Sequence, residues 1–229
     1  MFIQLTDYLV FKKFIKLFSP TVKHLYVPTV NIIITFICRY IYFNETNTIM
    51  SKIWNIDPTH SEVQFKVKHL VISTVTGTFK KFEGSIETEG DNFDGAKASF
   101  ALDTASVDTN VGDRDGHLKS GDFFDSENYP NLTFKGNLKQ VGDDYKLVGD
   151  LTIKDTTKPV ELDVELGGTM IDGYGQNKAG FEINGKINRK EFGLTWSMVT
   201  EAGGVVVGDE VKLHLNVQVV EQVEEIAKA

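Results

Sequence analysis

Leu132-Thr-Phe-Lys-Gly-Asn-Leu-Lys-Gln-Val-Gly-Asp-Asp-Tyr-Lys-Leu-Val-Gly-Asp-Leu-Thr-Ile153 is the stretch that decides the fold. Leu132, Phe134, Gly136 and Leu138 share one face of an extended chain, and Tyr145, Leu147, Gly149, Leu151 and Ile153 share one face of the next. Gly142-Asp143-Asp144 turns between them. Period-two alternation on both sides of a tight polar turn predicts a hairpin with one face buried.

The same pattern continues outward. Downstream, Val160, Leu162, Val164 and Leu166 follow Pro159; Ala179, Phe181, Ile183, Gly185 and Ile187 follow a loop at residues 172–177; Val211, Leu213, Leu215, Val217 and Val219 come last. Upstream, Ala96, Ala98, Phe100 and Leu102 alternate with polar residues. Val63, Phe65 and Val67 alternate with Glu62, Gln64, Lys66 and Lys68, and Ile53 to Asp57 makes a short first strand that Pro58 turns. Between these lies a long bent strand from Val75 to Glu89. Val75, Gly77 and Phe79 hold one register there, and Phe82, Gly84 and Ile86 hold the next, so a bulge is predicted at Lys80 and Lys81. About eight strands with short turns and no protected edge predict an all-β, eight-stranded antiparallel barrel in preference to a sandwich.

One segment breaks the alternation. Val107 to Phe134 predicts a short helical insert, capped by Asn110 or Asp113, with Tyr129-Pro130-Asn131 returning the chain to the sheet. It carries Arg114, Asp115 and His117, and Arg114 is one of two arginines after Met50, against seventeen lysines. An arginine fork suits a phosphate head at a barrel mouth or an internal partner such as Asp115 or Asp122. Gly84, Gly136, Gly149 and Gly185 occupy inward positions. Either they hollow a lumen, or they relieve crowding where strands coil.

Composition bounds the chemistry. Of a formal charge of −8, residues 1–49 contribute five basic and two acidic side chains, leaving nineteen and thirty in the remainder. An acidic surface with no basic cluster sets aside nucleic acid and anionic headgroups as primary partners. Cys38 is the single cysteine, which excludes a disulfide framework and a cysteine-ligated metal. His60 and His69 flank a strand without metal-ligand spacing, so no cofactor or metal is expected.

Residues 1–49 differ from the rest in having neither Gly nor Ala. Met50 therefore reads as the translation start of a domain over 50–229, with a cytoplasmic location and the preceding segment an artefact or disordered extension. The rival is a periplasmic or membrane-anchored protein using the apolar run from Leu25 to Phe43, which Arg39 interrupts.

Trp54-Asn-Ile-Asp-Pro-Thr-His60, Val63-Gln-Phe-Lys-Val-Lys-His69, Val75-Thr-Gly-Thr-Phe-Lys-Lys-Phe-Glu-Gly84, Arg114-Asp-Gly-His-Leu118 with Phe123-Phe124-Asp125, Tyr129-Pro130, and Asn188-Arg-Lys-Glu-Phe-Gly193 together resemble the YceI family of lipid-binding proteins. The resemblance covers Met50 to Gln218, with Gly116 and Lys119 departing from it around the helix. It implies a lipocalin-like barrel, often a homodimer, that binds a polyisoprenoid or other long-chain lipid in its lumen without catalysis.

Candidates for an apolar lining are Phe65, Val67, Phe79, Phe82, Phe100, Phe134, Leu147, Leu162, Phe181, Ile183 and Trp196, each of which is equally a core position. Arg114, His117 and His69 are the candidate donors for a polar head, and Arg189 reads as a loop anchor. Two other functions stay open. One is a hydrolase or isomerase with His117 as base, oriented by Asp115 or Asp113; the other is a ligand-free, stress-related interaction protein with a filled barrel.

Overall fold

The computed structural model describes residues 51–90, 92–198 and 206–222. The expectations for residues 1–49, whether misread start, extension or anchor, lie outside those residues. Within them the chain forms strands β1 Ser51–Ile56, β2 Glu62–His69, β3 Ser73–Phe79, β4 Phe82–Glu89, β5 Lys97–Asp103, β6 Val107–Asp108, β7 Asn131–Val141, β8 Asp144–Ile153, β9 Thr156–Ile171, β10 Asn177–Asn188 and β11 Val207–Glu221. One α-helix, α1, spans Gly112–Lys119.

Eleven segments make eight staves. β11 is long enough to carry two partners, pairing near its end with β1 (Trp54 opposite Glu221) and earlier with β2 (Phe65 opposite Leu213). β1 and β2 are thus halves of one strand bent at residues 57–61. β3 and β4 are halves of another, β3 pairing with β2 and β4 with β1. The break between them falls at Lys80 and Lys81, where the register slip in the sequence placed it. β5 and β6 repeat the device across Thr104–Ser106. Counted as staves, the order β1/β2, β3/β4, β5/β6, β7, β8, β9, β10, β11 returns to β1, and every neighbour is antiparallel. Closure removes the edges that an open sheet of this length would expose.

The bend at residues 57–61 is held by Asp57. Its carboxylate accepts from the Thr59 hydroxyl at 2.6 Å and the Thr59 amide at 3.0 Å, and meets His60 Nδ1 at 2.8 Å. Hydrogen bonds from Thr59, then from His60, hold this carboxyl at about 2, against an ordinary 3.8. A depressed carboxylate pKa stabilises the fold above the unfolded value and loses that contribution as pH falls through the folded one. At a surface corner screening leaves about 1 kcal/mol. In urea melts between pH 5 and pH 2, Asp57→Asn is therefore expected to trail the natural protein at the upper end and converge with it at the lower.

The inward glycines prove to be points of close approach rather than voids. Gly136 and Gly149 stand opposite each other in the β7–β8 ladder, and a Cβ on either would strike backbone of the partner strand. At Gly185 the space is occupied by the end of the Leu162 side chain, and at Gly77 by the Phe65 ring. They let the strands coil tightly, which a barrel requires, and the lumen is not their product.

Both ends of the barrel are stopped. At one end Phe93, in the β4–β5 loop, turns inward and lies edge-on to Phe181 at 5.0 Å and tilted to Trp54 at 5.3 Å. Trp54 itself donates through Nε1 to the buried Thr88 hydroxyl. At the other end Phe124, just past α1, meets Phe79 edge-on at 5.6 Å, and Leu118 joins it over Val63, Leu102 and Val107.

Candidate functional site

Between these two stoppers lies an internal cavity of about 140 Å³. Alternation delivers its walls: Phe134 and Leu138 from β7, Leu147 and Leu151 from β8, Leu162 and Val164 from β9, Phe181 and Ile183 from β10, and Leu213 and Leu215 from β11 all point inward. Gln64, Ser85 and Ser99 are the polar residues among the described lining, so the space offers almost no partner to water. An engineered apolar cavity of about 150 Å³ stays dry and takes up benzene. The same physics applies here.

Of the residues the sequence proposed for a lining, Phe65, Phe79, Phe100, Phe134, Leu147, Leu162, Phe181 and Ile183 face this cavity. Val67, Phe82 and Trp196 do not. Val67 lies on β2 past Phe65, between Val75 and Val211, toward the α1 end and away from the lumen. Phe82 sits at the β3–β4 break with its ring 6.1 Å from Phe100. Trp196 belongs to the turn after β10 and packs against His117 at 4.9 Å and Phe123 at 5.4 Å. Sequence reasoning missed Phe93, an aromatic inside a turn of Asp, Asn and Gly. Its single signal was that such a turn has no local use for a large apolar ring.

The three candidate head-group donors have separate settings. His69 ends β2 opposite Ser73 and Val207. Arg114 donates from Nε to the Thr109 hydroxyl at 2.7 Å and from Nη2 to the Thr109 carbonyl at 2.8 Å. Asp115 accepts from the Thr109 amide at 2.9 Å and from its hydroxyl. Arg114 and Asp115 therefore meet through Thr109, where one of the two readings of Arg114 was a direct pair with a carboxylate such as Asp115 or Asp122. The helix starts at an N-cap of Val111, which makes no side-chain cap bond. Asn110 cannot serve as its cap because it takes a left-handed φ of 61° with its amide on Asp108. Asp113 and Asp115 instead place negative charge in the first turn.

His117 finds Asp122, with Nε2 2.9 Å from Oδ2, and neither Asp113 nor Asp115 orients it. A histidine–carboxylate pair can move a proton, but Phe123 and Trp196 close on the ring edge-on. The adjacent Ser120 hydroxyl donates to the His117 carbonyl and not to the ring. Among the described residues no cluster of His, Cys, Asp and Glu has the arrangement of a metal site. None of their helices is long and apolar enough to cross a membrane.

The model of the YceI-like domain matches residues 54–219, the span that includes every stave of the barrel. The chain belongs to the YceI-like family. It is 40% identical over 164 residues to Protein YceI of Escherichia coli, a match covering 71% of this chain and 83% of that one. With a UPF0312 protein of Staphylococcus epidermidis it shares 38% identity over 166 residues, 72% of this chain and 95% of the relative. The solved Campylobacter jejuni YCEI protein superposes with a TM-score of 0.59 at 33% identity, covering 68% and 90% of the two chains. A polyisoprenoid binding domain from Saccharophagus degradans superposes at 0.55 with 17% identity, covering 74% and 98%, and shows the shared barrel alone.

Proposed function

We propose that this YceI-like chain is a binding protein that takes up the hydrocarbon part of a long-chain amphiphile, of the polyisoprenoid class, into its lumen, enlarging the preformed space of about 140 Å³ by displacing lining side chains, and so sequesters or carries it. The observation that carries this reading is the apolar cavity held between two aromatic stoppers. A prenyl chain has no hydrogen-bonding groups, so a dry, featureless wall suits it. Burial contributes about 25 cal/mol for each Å² removed from water. The polyisoprenoid-binding domain of the same fold lends the ligand class further support.

Native mass spectrometry of the gently purified protein, followed by organic extraction, is expected to find one long-chain lipid per barrel. A barrel that stays at its apo mass after incubation with prenyl alcohols and fatty amphiphiles would refute the reading. Filling the lumen gives a second check: Leu147→Trp puts an indole into the cavity and is expected to weaken uptake about tenfold or more, which is 1.4 kcal/mol or more of lost apolar contact.

A further inference from the structure

Between β9 and β10 the barrel wall has a seam. β9 and β10 pair in register from Ile171 opposite Asn177 as far as Asp163 opposite Asn184, and there the ladder ends. Both strands run on. β9 continues to Thr156 in full register with β8, and β10 continues to Asn188 in full register with β11. Residues 156–162 and 185–188 thus keep their outer neighbours with no ladder between them.

Local sequence accounts for the parting. Continued in step, Leu162 would stand opposite Gly185, Val160 opposite Ile187 and Pro159 opposite Asn188. The Leu162 side chain instead lies over Gly185, in the space where a Cβ would be. Pro159 has no N–H to offer a ladder.

The seam joins outside to inside. On the outer surface a groove of about 500 Å³ runs along it, bordered by Lys158, Pro159, Lys186, Asn188 and Glu191. Val160 and Ile187 line this groove and the lumen alike; an outer groove over β4, β5 and β7 also shares residues with the lumen, but there the ladders are unbroken. Both face inward by alternation and both are half-buried. At its ends the lumen is shut by Phe93 with Trp54 and by Phe124 with Leu118.

Resting on the binding function above, we propose that this seam is a lateral portal: the hydrocarbon chain of the amphiphile passes between β9 and β10 across Val160 and Ile187, and its polar head stays in the outer groove. The α1 end is a fixed stopper, not the mouth. Opening requires only that two short strand segments without shared hydrogen bonds move apart, whereas opening either end requires withdrawing a packed aromatic ring.

The test bolts each route in turn. Full-length protein carrying Cys38→Ser, Val160→Cys and Ile187→Cys is compared, oxidised and reduced, for uptake and release of a fluorescent prenyl alcohol. A second protein carries Cys38→Ser, Val107→Cys and Leu118→Cys, which bolts the α1 end and keeps the Phe79 and Phe124 rings. Oxidation of the first is expected to slow uptake and release together by about tenfold or more, with recovery on reduction, while the second protein, whose rates are compared only between its own oxidised and reduced forms, shows no change on oxidation. Ile187→Trp, which wedges the seam without a cross-link, is expected to slow both rates in the same sense. Rates that ignore the seam bolt and the wedge, or that fall with the α1 bolt instead, overturn the portal. Absence of uptake by the natural protein would mean that the binding function itself is wrong.

Discussion

Gly149→Ala is expected to cost about 3 kcal/mol or more, measured as the shift of the urea unfolding midpoint, because a single methyl there has nowhere to go. The Cβ position lies well inside contact distance of the Lys135 carbonyl and the Gly136 Cα, both backbone of the neighbouring strand. Backbone cannot step aside without breaking the β7–β8 ladder on either side of the Gly136 and Gly149 pair. Gly185→Ala is the matched control. There the obstacle is the tip of Leu162, which can rotate, so a cost of about 1 kcal/mol is expected. Equal costs at the two positions would show that strand coiling at β7–β8 is not what these glycines serve.

Arg189→Met is the second large effect, at about 3 to 5 kcal/mol. Arg189 is 2% exposed. It donates to the Gly208 carbonyl at 2.9 Å, the Trp196 carbonyl at 2.8 Å, the Val207 carbonyl at 3.2 Å, the Leu194 carbonyl, and Asp209 Oδ1 at 3.3 Å. Burial pushes its pKa down and Asp209 opposes that, yet a guanidinium remains charged in any protein environment. Removing it leaves four carbonyls without their donor and releases the turn that carries Phe192 and Trp196. Arg189→Lys supplies three donors to five acceptors and is expected to recover only part of the loss. Trp196 fluorescence reports the release separately from global unfolding, because that ring is held against His117 and Phe123. An unchanged midpoint with Arg189→Met would remove the turn from the stabilising framework. The sequence already marked Arg189, within Asn-Arg-Lys-Glu-Phe-Gly, as a loop anchor.

Much of the barrel was legible because alternation is local. The inward sets of β7, β8, β9, β10 and β11, the break at Lys80 and Lys81, and the helical insert all follow from period two, its interruptions and turn residues. The same alternation said that Phe134, Leu147, Leu162 and Phe181 face inward. It could not say whether an inward residue meets a void or another side chain, and so it placed Trp196 with the lining and credited the glycines with a possible lumen.

What the sequence determined by itself is therefore an inside and an outside: eight antiparallel staves, an apolar interior, a polar insert, and the pattern of the YceI-like family. What only the tertiary structure decided is closure of β1 on β11, the Phe93 stopper, the Thr109 bridge between Arg114 and Asp115, the pairing of His117 with Asp122, and the seam between β9 and β10. Each of these depends on stagger between strands or on contacts between residues whose meeting no local period encodes. Side-chain direction is a property of one strand; empty space and missing ladders belong to several strands at once.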